Sequence, residues 1–307
     1  MTRSVVVTGA AGFFGRNFCE FLRAQSIDVH TLSRQGLPGL PNHVAQMDDP
    51  QALSRVFAGI SPEAVLHLAG TVAGGFADCF RVNTLYAAAV LDALDLAGLG
   101  DRPVLFVGSI TELGQISPRD LPVTESVPPR PMGAYGVSKL AQTELGLAAA
   151  RRGRPIVIVR PSNLIGAGTP VHLAPGRFAA DLSALHKAGK GHGVLTTGSL
   201  EGVRDYIDVR DACRLSWRLL ENPEALGRVV NLCSGEGISM SELLNRLIAK
   251  TGLDVEIRQS GASPGVPVHV SSAALLGELA GPLGLRPLDD SLSALWAAAS
   301  GTYNRAP

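Results

Sequence analysis

Neither charge dominates this chain: lysine plus arginine and aspartate plus glutamate each number 27 in 307 residues, for a net charge of zero. No basic stripe marks a nucleic-acid binder, and no acidic tail marks a basic partner. Cysteine is sparse as well. Cys19, Cys79, Cys213 and Cys233 stand far apart with no metal-ligand spacing, which argues against a disulfide framework or a zinc site and reads as reduced, buried thiols. No apolar run reaches membrane length without Gly, Pro or charge, so no membrane span is expected. A strand-like run begins at residue 4 and leaves no room for a secretory leader, so a soluble cytoplasmic protein is expected. Internal repeats and low-complexity segments are missing, and only four lysines accompany 23 arginines. What is present is a 46% hydrophobic chain with 35 glycines, long enough for a large core and rich in tight turns.

Short apolar runs alternate with helical stretches through the first half. SVVVTG (4–9), DVHTLS (28–33), AVLHLAG (64–70), PVLFVGS (103–109) and PIVIVRP (155–161) read as strands buried on both faces. Helices are expected near 13–25, 50–58, 80–98 and 135–152. This order predicts an α/β fold with a doubly wound, parallel Rossmann-type sheet over residues 1–165. From 166 to 307 the rhythm loosens into a smaller, less regular lobe, some of whose elements are expected to return to the first sheet. There, helices are expected near 176–188, 210–222 and 239–251, strands at 203–209 and 228–235, and Gly/Pro-rich loops around short elements over 261–291.

Gly9, Gly12 and Gly15 follow the first strand in G-x-x-G-x-x-G spacing and open an amphipathic helix at Phe13 and Phe14. Glycine there permits a tight turn and close backbone approach, and a helix N-terminus offers free N–H groups to a pyrophosphate. A dinucleotide-binding turn is therefore expected. NAD binders usually end the second strand on an acid that takes the ribose hydroxyls, but here Ser33 and Arg34 occupy that place. A guanidinium pairs well with phosphate oxygens, so NADPH is favoured, with NAD as the alternative. Asp48, with Asp49 as its rival, is placed to accept from the adenine amine. Further on, Tyr135 and Lys139 stand four residues apart on one helical stretch, hence one turn apart on one face.

The glycine turn, HLAG (67–70), Ser109 at a strand end and Tyr135-x-x-x-Lys139, in that order, resemble the extended short-chain dehydrogenases/reductases. VRPSNLIGAG (159–168), VRDYIDVRDA (203–212) and VVNLCSGEGISMSELL (229–244) resemble the nucleotide-sugar branch, and in it the reductases of 4-keto-6-deoxyhexose nucleotides such as the GDP-4-keto-6-deoxymannose reductases. The resemblance implies that Tyr135 exchanges a proton with the substrate oxygen, that Lys139 lowers the phenol pKa and holds the nicotinamide ribose, and that Ser109 bonds the substrate oxygen. It also implies that Leu68, Ala69, Gly70 and Asn83 border the cofactor, although Asn83 reads equally as a helix cap. Ser109, Thr111, Asn163 and Arg204 are implied at the substrate, with Asn163 and Arg204 at its diphosphate; for Arg204 the competing reading is an ion pair with Asp205 or Asp208. His67 reads as a packed neighbour of the cofactor.

Dehydratases of the family carry an acidic pair after the catalytic Ser/Thr; Ile110 and Thr111 stand there, with Glu112 one residue beyond, which argues against dehydration. An epimerase uses the same three catalytic residues with a tightly held NAD and remains the alternative to a reductase. A sensor that only binds NADP(H) usually lacks the Tyr or the Lys. Members often clamp the second phosphate with an arginine in a late loop, but SGASPGVPVHVSS (260–272) has none, leaving Arg258 as the candidate. The apolar stretches LYAAAVLDALDLAGL and KLAQTELGLAAA match the family's helical homodimer contact, with burial inside one chain as the other reading.

Overall fold

The computed structural model describes residues 3–189, 192–260 and 268–303. Its strands are β1 (Ser4–Thr8), β2 (Asp28–Leu32), β3 (Asn42–His43), β4 (Ala64–His67), β5 (Val104–Val107), β6 (Ile156–Pro161), β7 (Asn163–Ile165), β8 (His192–Thr197), β9 (Val203–Asp208), β10 (Val229–Leu232), β11 (Gly237–Ser239), β12 (Asp254–Gln259) and β13 (Val268–His269). Seven of them form one parallel sheet in the order β3-β2-β1-β4-β5-β6-β10. The order reverses between β1 and β4, which opens a crevice beyond their carboxyl ends.

The helices are α1 (Phe13–Ala24), α2 (Pro50–Ile60), α3 (Phe76–Cys79), α4 (Tyr86–Leu96), α5 (Ala134–Ala150), α6 (Ala174–Lys187), α7 (Val209–Glu221), α8 (Met240–Ala249), α9 (Ala274–Ala280) and α10 (Leu288–Ser300). Successive strand residues point to opposite faces, so the unbroken valines of β1 feed two cores at once. Val5 and Val7 pack with Phe18 and Leu22 of α1 and Leu215 and Leu219 of α7. Val6 packs on the other side with Leu53 and Phe57 of α2 and Val90 and Leu94 of α4.

The later residues form a third core, where Phe178 and Leu182 meet Tyr206, Leu243, Leu247, Leu292 and Leu295. The sheet β11-β9-β13, with β7 also on β9, and the parallel pair β8-β12 contribute to it through Ile165, Leu195, Tyr206 and Ile238. β10 leaves this region for the edge of the seven-stranded sheet beside β6. The strands β3, β7, β8 and β12 and the helix α10 add to the elements legible in the sequence. β8 and β12 bury one face at most, so they carry no continuous apolar run. Residues 261–267 of the Gly/Pro-rich stretch, and with them most of the late loop, lie outside the described residues.

Candidate active site

β1 ends in a turn that only glycine can make. Gly9 has φ +66°, and a Cβ there would fall 2.6 Å from the Ala69 nitrogen and 2.7 Å from the Leu68 carbonyl carbon. A Cβ on Gly15 would overlap the Gly9 carbonyl oxygen. Thr8 Oγ1 accepts from the Ala69 N–H at 3.2 Å, so the ends of β1 and β4 are stitched together. Gly12 caps α1 without a side chain, and no acid lies in the first turn, so the helix N-terminus faces the crevice uncommitted. Phe13 is half-buried, and Phe14 stacks 5.5 Å from Phe18, which anchors the helix. The cradle and the open N-terminus fit a dinucleotide pyrophosphate.

At the end of β2 the two residues expected at the 2′-phosphate differ in disposition. Ser33 Oγ is turned inward, against the Gln35 carbonyl at 2.6 Å and Asn42 Oδ1 at 3.0 Å. Asn42 Oδ1 also accepts from Thr31 Oγ1 at 2.8 Å, and its amide donates to the Ser33 carbonyl at 3.3 Å. Arg34 is exposed and has no partner among the described residues. The guanidinium, not the hydroxyl, is thus the group free to meet a phosphate. Between the two candidate acids, Asp49 caps α2 by accepting from the Ala52 N–H at 3.0 Å, while Asp48 is exposed and uncommitted.

Ser109 follows β5 and caps the single turn Ile110–Leu113. Its Oγ accepts from the Thr111 N–H at 3.2 Å and from Thr111 Oγ1 at 2.8 Å, which leaves the Ser109 proton for the Tyr135 phenol oxygen. Tyr135 and Lys139 share one face of α5, as their spacing requires. Lys139 is buried, with Nζ donating to the Val107 carbonyl at 2.8 Å and Gln142 Oε1 at 2.9 Å. Burial pushes its ammonium down to about 8, against an opposing pull from Glu112. A Cβ on Gly70 would stand 3.2 Å from Lys139 Nζ and 3.2 Å from Asn83 Oδ1, so glycine keeps that approach open.

Burial raises the Tyr135 phenol pKa, a hydrogen bond with Ser109 opposes this, and the negative charge of Glu112 adds to the rise. The Lys139 ammonium is itself held by the Val107 carbonyl and Gln142 Oε1. The free chain therefore holds Tyr135 as a neutral phenol at neutral pH, a proton donor rather than a base.

Asn83 is no helix cap. It lies within a π-helical turn, Phe80–Leu85, joining α3 to α4, a feature common at functional sites. Its Oδ1 accepts from the Thr71 N–H at 2.8 Å, and its Nδ2 donates to the Thr71 carbonyl and to Ser138 Oγ, both at 2.9 Å. It ties the loop after β4 to α5. His67 is fully buried 3.0 Å from Thr8 Oγ1, and burial pushes it down to about 3, so it is a neutral packed neighbour.

On the substrate side, Asn163 Nδ2 donates to the Asp205 carbonyl at 2.9 Å, and Arg204 Nη1 donates to the Val203 carbonyl at 2.9 Å. Neither neighbouring acid pairs with Arg204. Asp205 gathers Ser162 Oγ, Ser234 N and Oγ, and the Gly235 and Ser271 N–H groups, while Asp208 is bonded by Arg210 and Ser291. Arg258 is exposed and doubly bonded to Glu256 at 2.7 and 3.0 Å, so it is not a free substitute for a phosphate clamp. Two buried acids escaped the sequence reading as site elements, Asp205 as a hub and Glu112 behind Ser109. Glu112 had a local signal, since S-x-x-E at a turn start is a capping box. All four cysteines are free and buried, and among the described residues no acid, His and Cys cluster could hold a metal. No helix is long and apolar enough to cross a membrane among the described residues.

Known proteins are similar to this chain in sequence and in fold. A GDP-6-deoxy-D-mannose reductase of Pseudomonas aeruginosa is 32% identical over 268 residues, spanning 85% of this chain and 84% of its own. A dTDP-4-dehydro-6-deoxy-D-allose reductase of Streptomyces bikiniensis is 28% identical over 89% of this chain and 88% of its own. Among solved structures, RMD from Pseudomonas aeruginosa complexed with NADPH superposes with a TM-score of 0.86 at 26% identity, over 98% of this chain and 99% of that one. The profile of the NAD dependent epimerase/dehydratase family matches residues 5–233. That span runs from β1 to the residue after β10 and takes in the whole seven-stranded sheet; the chain belongs to the NAD dependent epimerase/dehydratase family, within the extended short-chain dehydrogenases/reductases.

Proposed function

We propose that the protein reduces the ketone of a 4-keto-6-deoxyhexose nucleotide with NADPH. The observation that carries this reading is Arg34, an exposed and unpartnered guanidinium at the end of β2 where an NAD-binding acid would stand. The named reductases among its relatives, and the similar RMD structure complexed with NADPH, support it.

The bound cofactor supplies the hydride. The glycine cradle and the N-terminus of α1 hold its pyrophosphate, Arg34 its 2′-phosphate, Asp48 its adenine amine, and Leu68, Ala69 and Gly70 border it. Lys139, reached across Gly70, holds the nicotinamide ribose. Ser109 donates to the ketone oxygen, and Tyr135 delivers its phenolic proton there, which suits a phenol kept neutral in the free chain. Ile110 and Thr111 bring no acid to the sugar, so no hydroxyl is expelled. Thr111, Asn163 and Arg204 face the substrate, and the lobe from 166 to 307 selects the nucleotide sugar.

Removing the Arg34 guanidinium tests the central point. Arg34→Ala is expected to weaken NADPH about tenfold to a hundredfold and leave NADH nearly unchanged, by fluorescence titration of each. Equal losses for both cofactors, or stoichiometric NAD released from freshly purified protein, would turn the reading to an epimerase.

The four reduced thiols suit a cytoplasmic home. The homodimer contact falls on α4 and α5, where Leu91, Leu145, Ala148 and Ala149 floor an outer groove rimmed by Asp92 and Arg152. Light scattering of the purified protein is expected to give twice the chain mass; a monomer at micromolar concentration would remove this contact.

A further inference from the structure

Behind the three catalytic residues lies a buried ion pair that proton and hydride transfer do not use. Glu112 is fully buried. Its Oε1 accepts from the Ser109 N–H at 2.7 Å and from Thr143 Oγ1 of α5 at 3.1 Å. Its Oε2 accepts from Arg160 of β6, from Nε at 3.2 Å and from Nη2 at 3.0 Å. Space for this carboxyl depends on Gly108, whose Cβ would collide with Glu112 Oε1. One side chain therefore joins the catalytic serine, the catalytic helix and the strand that leads to Asn163.

We infer that Glu112, oriented by Arg160, is a positioning residue: it fixes the main chain of Ser109 and supplies the negative charge behind the Tyr135–Lys139 pair. This deepens the reductase reading and rests on it for the roles of those residues. A buried pair is a poor source of net stability, since desolvation offsets its attraction. A cheaper apolar filling would serve packing alone, so an ionic pair at this place points to a use of its charge.

The surroundings leave Glu112 as the main source of field there. Facing the pair are His67 from β4, held neutral by burial, Cys79 from α3, the neutral Ser109, Asn83, Gln142 and Thr143, and Glu112 itself. Its charge pulls the Lys139 ammonium up against burial and raises the Tyr135 phenol. Without it, Lys139 would lose its proton at lower pH, and the cation beside the nicotinamide ribose would be gone over more of the working range.

With only four lysines in the chain, Lys139 can be followed directly by side-chain NMR of protein labelled at lysine, its signal assigned by its loss in Lys139→Met. The wild-type ammonium is expected to titrate near 8. In Glu112→Gln, which keeps the size and one acceptor, the midpoint is expected to fall by roughly one pH unit, and the alkaline limb of kcat to fall with it. Should Glu112→Gln fail to fold around the orphaned guanidinium, the pair Glu112→Gln and Arg160→Met removes both charges and is expected to lower the midpoint by a smaller amount, since the cation that offsets the carboxylate goes with it. A Lys139 midpoint unmoved in whichever variant folds overturns the inference. The NMR titration needs no substrate, so it stands apart from a failure of the wild type to reduce any keto-sugar nucleotide, which would sink the reductase reading instead.

Discussion

Tyr135→Phe is expected to lower kcat for a keto-sugar nucleotide by about 10³-fold, with NADPH bound within about threefold of wild type. The substitution removes one oxygen and its proton and leaves the ring. The ring is half-buried beside Ser109, so its packing persists, and the groups proposed to hold the cofactor are other residues, the glycine cradle, Arg34 and Lys139. What disappears is the acid that meets the developing alkoxide. Ser109 remains as a hydrogen-bond donor, which stabilises charge but delivers no proton, so a residual rate above background is expected. The check is steady-state reduction of the keto sugar at saturating NADPH beside a fluorescence titration of the cofactor. Unchanged turnover would remove Tyr135 from the mechanism; a parallel collapse of NADPH binding would show that the phenyl ring had shifted.

Gly9→Ala is expected to have the larger effect on the fold. The added methyl would meet the Ala69 nitrogen at 2.6 Å, a contact with main chain that cannot swing aside. The residue must also hold φ +66°, a left-handed conformation that costs an alanine about 1–2 kcal/mol. Overpacking adds about 1–3 kcal/mol, so a total near 2–5 kcal/mol is expected. Thermal unfolding should show the loss, and NADPH titration should show a cradle opened between β1 and β4. Gly12→Ala is the contrast, because its Cβ meets only the Gly9 carbonyl, at 3.2 Å. If Gly9→Ala were as stable as wild type, the tight stitching of the two strand ends would be wrong.

How much of this was legible in the sequence depended on what carried each signal. The central strands were readable because burial on both faces makes them continuous apolar runs, as in VVV of β1 and IVIV of β6. β12, DVEIRQ, has four exposed residues of six and no fully buried one, so its only signal is the short alternation of Val255 and Ile257. The glycine turn and the Tyr135–Lys139 spacing are local, and their geometry follows from one turn and one helix. Other site features depend on partners remote in the chain. Ser33 points inward because of Asn42, nine residues on, and Glu112 is held by Arg160, 48 residues on. Spacing placed Lys139 on the face of Tyr135, but the contacts of its ammonium with Val107, 32 residues back, and Gln142 could not be read from that spacing. Asn83 looked like a cap only while the extra residue of a π turn was invisible.

The seventh strand has a consequence for where this chain can be cut. β10 comes from residues 229–232, beyond α6 and α7, yet its Val229–Leu232 backbone pairs with Ile158–Pro161 of β6. A fragment ending at 165 would carry every strand from β1 to β6 but expose the edge of β6, whose six residues are all buried in the intact chain. An open, apolar edge of that kind recruits other strands and aggregates. The cofactor-binding half is thus not a detachable cassette: its sheet is sealed by chain that has already passed through the other lobe, and grafting either half onto a new partner would have to bring its own cover for that edge.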